Sequence, residues 1–176
     1  MDSVRILHCA DLHIGAECSF LGVKSRTRRA EVKKTFHRIL ELCREEKAEL
    51  LLIAGDLFDD VKVSSEILGE IRDAFAALTE CTVVIAAGNH DAATPDSPYM
   101  LENFWPENVI LFTSQPECRV LPKLGVRLVG GGFTGTYCYQ SMLRKLPYMD
   151  DGLINIGVMH GDPVSDNARS DYNAVT

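Results

Sequence analysis

Apolar residues recur along the chain in two rhythms. Residues 4–10 (VRILHCA), 50–54 (LLLIA) and 82–87 (TVVIAA) are short, nearly unbroken apolar runs bounded by polar residues, the pattern of buried strands. Between them the spacing changes to threes and fours. Over residues 26–46, Val32, Phe36, Ile39, Leu40 and Cys43 fall on one stripe of an amphipathic helix. Ser64 and Ser65 open a second helix, with Ser64 as its cap and Ile67, Leu68, Ile71, Phe75 and Leu78 on one face. A looser stretch rich in proline and aromatics covers residues 94–106, and short strands are expected at 109–112, 119–121, 126–129 and 154–159. The GGG at 130–132 marks a backbone squeeze or a strand bend. Strand, helix, strand, helix, strand in that order implies parallel pairing through right-handed crossovers. The shorter later strands imply a sheet that turns mixed or a second sheet packed beside the first. The fold class expected is α/β.

The polar residues break this pattern at defined places. Asp11 and His13 follow the first strand (ADLHIG) and Asp56 the second (AGDLFD). Asn89 and His90 follow the third (AAGNHD), and His160 the last (VMHGD). In open α/β sheets the carboxyl ends of the strands share one edge, where ligands bind. Four segments therefore converge on one crevice with two aspartates, an asparagine and three histidines. Carboxylate, imidazole and amide oxygen suit borderline divalent ions such as manganese, iron or zinc, and the lack of thiolates argues against a structural zinc site. Asp11 and His13, one residue apart, face the same side of an extended strand end. Asp56 can bridge two ions, one per oxygen. Two ions ~3.5–4 Å apart form the clamp used for phosphoester cleavage. Taken singly, Asp56 also fits a turn or helix cap, and His13 and His160 fit partly buried structural histidines. The ordered set carries the reading. His8, inside the first strand, and His37, on the polar side of a helix, are read as structural.

DLH, GDLFD, GNHD and MHG, in this order over nearly the whole chain, resemble the motifs of calcineurin-like metallophosphoesterases. ILHCADLHIG with GDLFD is most similar to the DNA-repair exonuclease subunits of the SbcD type. The resemblance implies a sandwich of mixed β-sheets flanked by helices. It makes Asp11 and His13 ligands of one metal, Asp56 the bridging ligand, and Asn89 and His160 ligands of the second. His90 falls where a residue meets the phosphate or protonates the leaving oxygen, with Asp91 orienting it. The cofactors implied are two divalent ions, manganese first, with iron or zinc as alternatives. The partners implied are a DNA substrate and an SMC-like ATPase subunit, with a homodimer as a further option. The family's later GHxH motif has no counterpart here. Residues 1–176 are therefore expected to be a nuclease domain incomplete at its C-terminus, with each metal short of one ligand. A phosphoesterase for nucleotides or phosphoproteins, and a scaffold that keeps the fold without catalysis, are the competing readings.

Composition narrows this further. With 176 residues, 46% of them hydrophobic and 24% charged, the chain fits one soluble domain. No run approaches the ~20 apolar residues of a membrane span. MDSVRILHCADLH, with an acid at position 2, is no signal peptide, and a cytoplasmic protein is expected. Six scattered cysteines without a CxxC pair are read as free thiols. A net charge of −7 argues against a generic nucleic-acid coat, though not against an enzyme that holds cations. Lys24, Arg26, Arg28, Arg29, Lys33 and Lys34 are read first as a solvated helix face. Cations in a first helical turn oppose the macrodipole by ~0.3–1 kcal/mol each, which leaves contact with nucleic-acid phosphates as the second reading. Tyr99 to Trp105, with Phe104, is read first as core packing and a lid, and second as a base-stacking surface.

Overall fold

The computed structural model describes residues 3–146, 148–165 and 169–175; Met1 and Asp2, used above to read the N-terminus, lie outside them. Four strands, β1 (Ile6–Cys9), β2 (Leu50–Ala54), β3 (Thr82–Ala86) and β4 (Val109–Phe112), form one parallel sheet in the order β1-β2-β3-β4. Two helices, α1 (Ser25–Glu45) and α2 (Ser65–Ala76), make the first two crossovers. Ser64 caps α2 as expected, its hydroxyl accepting from the Ile67 N–H at 3.3 Å.

Each strand interior is apolar on both sides because each side meets a different layer. Leu51, Ile53, Val83 and Ile85 face α1 and α2, packing with Phe36, Leu40, Ile71 and Phe75. Leu50, Leu52, Val84, Ala86 and Phe112 face the other way, onto Val126, Leu128 and Val158. Those last residues belong to a second sheet, β5 (Glu117–Leu121), β6 (Val126–Gly130) and β7 (Ile154–Val158), in which β5–β6 is antiparallel and β6–β7 parallel. Of the two options the later strands left open, the separate mixed sheet is the one formed. A two-residue parallel pair, β8 (Asp162–Pro163) with β9 (Ala174–Val175), follows. The GGG is a squeeze: a Cβ on Gly132 would lie 2.1 Å from the Phe112 carbonyl oxygen, so only glycine lets the end of β6 pass β4 so closely.

The aromatic stretch joins the core. Tyr99 is buried, and Trp105 sits 6.0 Å from it and 6.2 Å from Phe75, ring to ring. Its indole N–H donates to the Pro98 carbonyl at 3.0 Å. That leaves little aromatic face here for a ligand. All six cysteines are free, and burial pushes the Cys9 thiol up to about 12, which leaves it protonated and inert. No described helix is long and apolar enough to cross a membrane.

Phe75 has no solvent exposure and contacts both Phe36, at 5.7 Å, and Trp105. Phe75→Ala is expected to lower stability by about 3–5 kcal/mol through lost burial and a residual cavity. Urea unfolding followed by circular dichroism checks this, as a lower midpoint at unchanged slope.

Candidate metal centre

The strand ends are tied together before any side chain is considered. Beyond β1 and β2 the backbone goes on pairing: Asp11 N–H donates to the Gly55 carbonyl (3.2 Å), His13 N–H to Asp56 (3.0 Å) and Ile14 N–H to Leu57 (2.9 Å). These residues are not extended. Asp11, His13 and Asp56 all take left-handed φ values, 55°, 46° and 50°. The expectation that Asp11 and His13 share a face through strand alternation is therefore corrected. They meet because two left-handed residues coil the chain back, a conformation Asp and His tolerate better than most residues. Such conformations cost of order 1–3 kcal/mol each and persist where the surroundings enforce them, characteristically at functional sites. On the other side, Phe133 N–H donates to Ala87 (3.0 Å) and Ala93 N–H to Phe133 (2.8 Å), locking the loop after β3 to the segment that follows β6.

The side chains then converge. A carboxylate of Asp11, a ring nitrogen of His13 and a carboxylate oxygen of Asp56 lie within 4.8 Å of one another. Asp56 Oδ2 stands 3.8 Å from His13 Nε2 and 3.6 Å from His160 Nε2, so one oxygen lies between two histidines. Its Oδ1 accepts the His90 N–H at 3.0 Å, so the second oxygen is held by the backbone rather than turned to a separate ion. His160 Nδ1 lies 2.8 Å from the Ala54 carbonyl, which can only accept, so Nδ1 carries the hydrogen. Nε2 is left with a lone pair, 3.0 Å from Asn89 Oδ1. His13 repeats the logic: Nδ1 meets Asp59 Oδ1 at 3.1 Å, leaving Nε2 for the crevice. A carboxylate behind a histidine that presents its other nitrogen is the usual support for a metal-ligating imidazole.

The fit to a divalent cation follows from the donors. Nε2 of two histidines, one amide oxygen and two carboxylates lie close together; among the described residues no lysine or arginine lines the crevice of Asp11, Asn89 and His160, while Arg29 and Lys33 border a neighbouring depression at His13. A cation satisfies this set; an apolar group or a second anion does not. The crevice holds about 720 Å³ and is also bordered by His8, Asp162 and Tyr172.

His90 is exposed, its ring 4.7 Å from that of His13, and its Nδ1 lies 3.1 Å from the Asp59 carbonyl. That carbonyl, and not Asp91, orients it. Asp91 is wholly buried, accepting from Gly88 N–H (2.8 Å), Phe58 N–H (3.0 Å) and the Tyr99 hydroxyl (2.5 Å). Burial pushes its carboxyl up from the ordinary value, and those three donors pull it part of the way back. Asp91 is a staple between the two loops that carry Asp56 and His90. The role of Asp59 was missed from sequence although GDLFD contains it, because nothing in the spacing tells an orienting aspartate from a turn residue. In the basic cluster, Arg28 pairs with Glu31 (3.3 Å), Lys33 with Glu70 (2.7 Å), and Arg29 donates to the Glu17 carbonyl (2.7 Å). His37 joins Glu70 at 2.9 Å, a surface role as expected.

A layered α/β/β body with acid and imidazole donors gathered at its strand ends suits divalent-metal chemistry on phosphate esters. The chain belongs to the calcineurin-like phosphoesterase family, whose model matches residues 4–174. It is 27% identical over 175 residues to the uncharacterized metallophosphoesterase YhaO of Bacillus subtilis, covering 92% of this chain and 41% of that protein. It is 36% identical over 90 residues to the DNA double-strand break repair protein Mre11 of Methanopyrus kandleri, covering 50% of this chain and 19% of that one. With the SbcD component of the SbcCD nuclease of Rhodobacter capsulatus it shares 33% over 94 residues, covering 51% and 22%. The chain thus spans less than half the length of each of these relatives.

A Cβ on Gly88 would lie 2.0 Å from Asp56 Oδ1 and 2.4 Å from the Asp56 backbone nitrogen. Gly88→Ala is expected to displace Asp56 and weaken divalent-cation binding at least ~10-fold, since the loss of supporting contacts alone costs that much. Calorimetric titration, with circular dichroism showing the fold retained, checks it.

Proposed function

We propose that the chain is a dimetal-dependent phosphodiesterase acting on DNA, the nuclease part of a DNA-repair complex that works with an SMC-like ATPase subunit. The observation that carries the reading is the approach of Asp11, His13, Asp56, Asn89 and His160 to one another at the strand ends, with Asp11, Asn89, His90 and His160 lining one crevice. The DNA substrate draws support from the Mre11 and SbcCD relatives, whose names record DNA repair and nuclease activity. The ATPase partner rests on the resemblance in the motifs.

Asp11 and His13 would hold one ion and Asn89 with His160 the other, with Asp56 Oδ2 facing both positions. Bound divalent ions would supply an activated water and neutralise charge on the phosphate. His90 contributes the proton. Its Nδ1 is committed to the Asp59 carbonyl, so Nε2 is the ring atom free to bond a phosphate oxygen and, when protonated, to give its proton to the leaving oxygen. Asp59 holds two groups at once, His13 through its carboxylate and His90 through its carbonyl, which keeps ligand and acid in fixed relation.

Hydrolysis of bis(p-nitrophenyl) phosphate and of a labelled DNA strand is expected to require manganese and to stop with EDTA; activity that survives exhaustive chelation refutes the dimetal reading. Activity on p-nitrophenyl phosphate alone would favour the monoesterase reading, and metal binding without any turnover the scaffold.

His90→Ala is expected to cut turnover by ~10²–10⁴-fold while manganese binding persists. Asp56→Asn is expected to lose the metal instead, because a neutral amide is the weaker ligand. Calorimetry beside steady-state kinetics separates the two effects.

A further inference from the structure

The buried aromatic stretch at residues 99–105 leaves the crevice without a stacking surface from that quarter. Another aromatic group does border it. Tyr137, Tyr139 and Tyr172 are 54%, 71% and 39% exposed and form one contiguous surface. Tyr137 lies at its centre, with the Tyr139 ring 5.9 Å away and nearly parallel (20°) and the Tyr172 ring 5.9 Å away at 37°. Phe20 and Tyr148 are also exposed, but these three tyrosines are in ring contact with one another, and they are not held by their polar ends. None of the three hydroxyls has a hydrogen-bond partner among the described residues.

This surface is anchored to the metal centre by the backbone. Cys138 N–H donates to the Asp171 carbonyl and Asn173 N–H to the Cys138 carbonyl, each at 2.7 Å, so the segments carrying the tyrosines are stitched together. The Asn173 side chain donates to the His160 carbonyl at 2.6 Å and accepts the Met142 N–H at 2.6 Å. Asp162 N–H donates to the Tyr172 carbonyl at 3.0 Å. Tyr172 itself lines the crevice beside His160 and Asn89. Lys145 adds charge nearby: its ammonium is held by two uncharged amide oxygens, Gln115 (3.2 Å) and Gln140 (3.0 Å), the latter next to Tyr139 in sequence. No carboxylate neutralises it among the described residues.

We propose that Tyr137, Tyr139 and Tyr172 form a stacking platform for an unpaired nucleobase of a strand whose phosphate enters the adjacent crevice, with Lys145 meeting a neighbouring phosphate. Aromatic faces accept any base, and a cation alongside tracks the backbone, the combination by which single strands are bound without sequence preference. The platform deepens the proposed function, and rests on it only for the role of the crevice. It selects base-bearing single strands, or strand ends that have frayed, over intact duplex, whose bases are already stacked.

Binding without turnover tests the platform apart from catalysis. The 176-residue chain in manganese is titrated by fluorescence anisotropy with a labelled, hydrolysis-resistant phosphorothioate thymidine tetranucleotide and with its abasic counterpart. Wild type is expected to prefer the base-bearing strand by about 5- to 100-fold, the worth of one stacked base. Tyr137→Ala with Tyr139→Ala should collapse that preference to within about twofold, while Tyr137→Trp with Tyr139→Phe should keep it. Equal wild-type affinity for the two strands, no detectable binding of the base-bearing strand, or a preference that survives the alanine pair overturns the platform. A chain that hydrolyses diesters yet shows no base preference leaves the phosphodiesterase reading standing and removes this one. The reverse result removes the phosphodiesterase reading and keeps the platform.

Discussion

A carboxylate shut away from water must be surrounded by donors, and at Asp91 those donors come from three different segments. Gly88 belongs to the loop after β3, Phe58 to the loop after β2, and Tyr99 to the short turn beyond. Meeting the needs of one side chain therefore sets the position of the GDLFD loop against the GNHD loop. Asp56 and His90 ride on those loops, and the His90 N–H then bonds Asp56 Oδ1. Burial still pushes the Asp91 carboxyl up, so the donors only partly offset its desolvation. The loops cannot separate without exposing an acid that has given up its water.

The crevice follows the same electrostatic logic with the opposite sign. Its lining presents lone pairs and carboxylates and no lysine or arginine, in a chain of net charge −7. A phosphate arriving there would meet only repulsion. Held cations would reverse the sign locally and let an acidic crevice receive a phosphate. The left-handed residues Asp11, His13 and Asp56 carry the backbone cost of aiming their side chains inward, and the ladder joining the two loops holds them there.

The aromatic residues divide between two jobs that composition does not separate. Tyr99 and Trp105 close the core over Phe75, and the Tyr99 hydroxyl serves Asp91. Tyr137, Tyr139 and Tyr172 stay on the surface beside the crevice. The stretch dense in aromatics is the buried one, while the exposed rings come from segments more than thirty residues apart in the chain.

Hydrophobic rhythm determined β1 to β7, both helices and the parallel order of the first sheet, and serine identity the Ser64 cap, because burial on two faces and burial on one stripe leave different periods; the short β8–β9 pair left no such signal. The strand-end motifs likewise determined which side chains are candidates for the site, since parallel strands bring their carboxyl ends to one edge. Tertiary structure decided what each candidate touches. That Asp91 braces two loops while the Asp59 carbonyl orients His90 depends on contacts between residues 31 to 33 positions apart. That Asp11 and His13 meet through left-handed turns depends on the β2 loop pairing with theirs. The tyrosine surface depends on residues 137–139 pairing with 171–173. Local sequence records the period of burial, but a hydrogen bond or ring contact between distant segments forms only once the packed layers have brought them together.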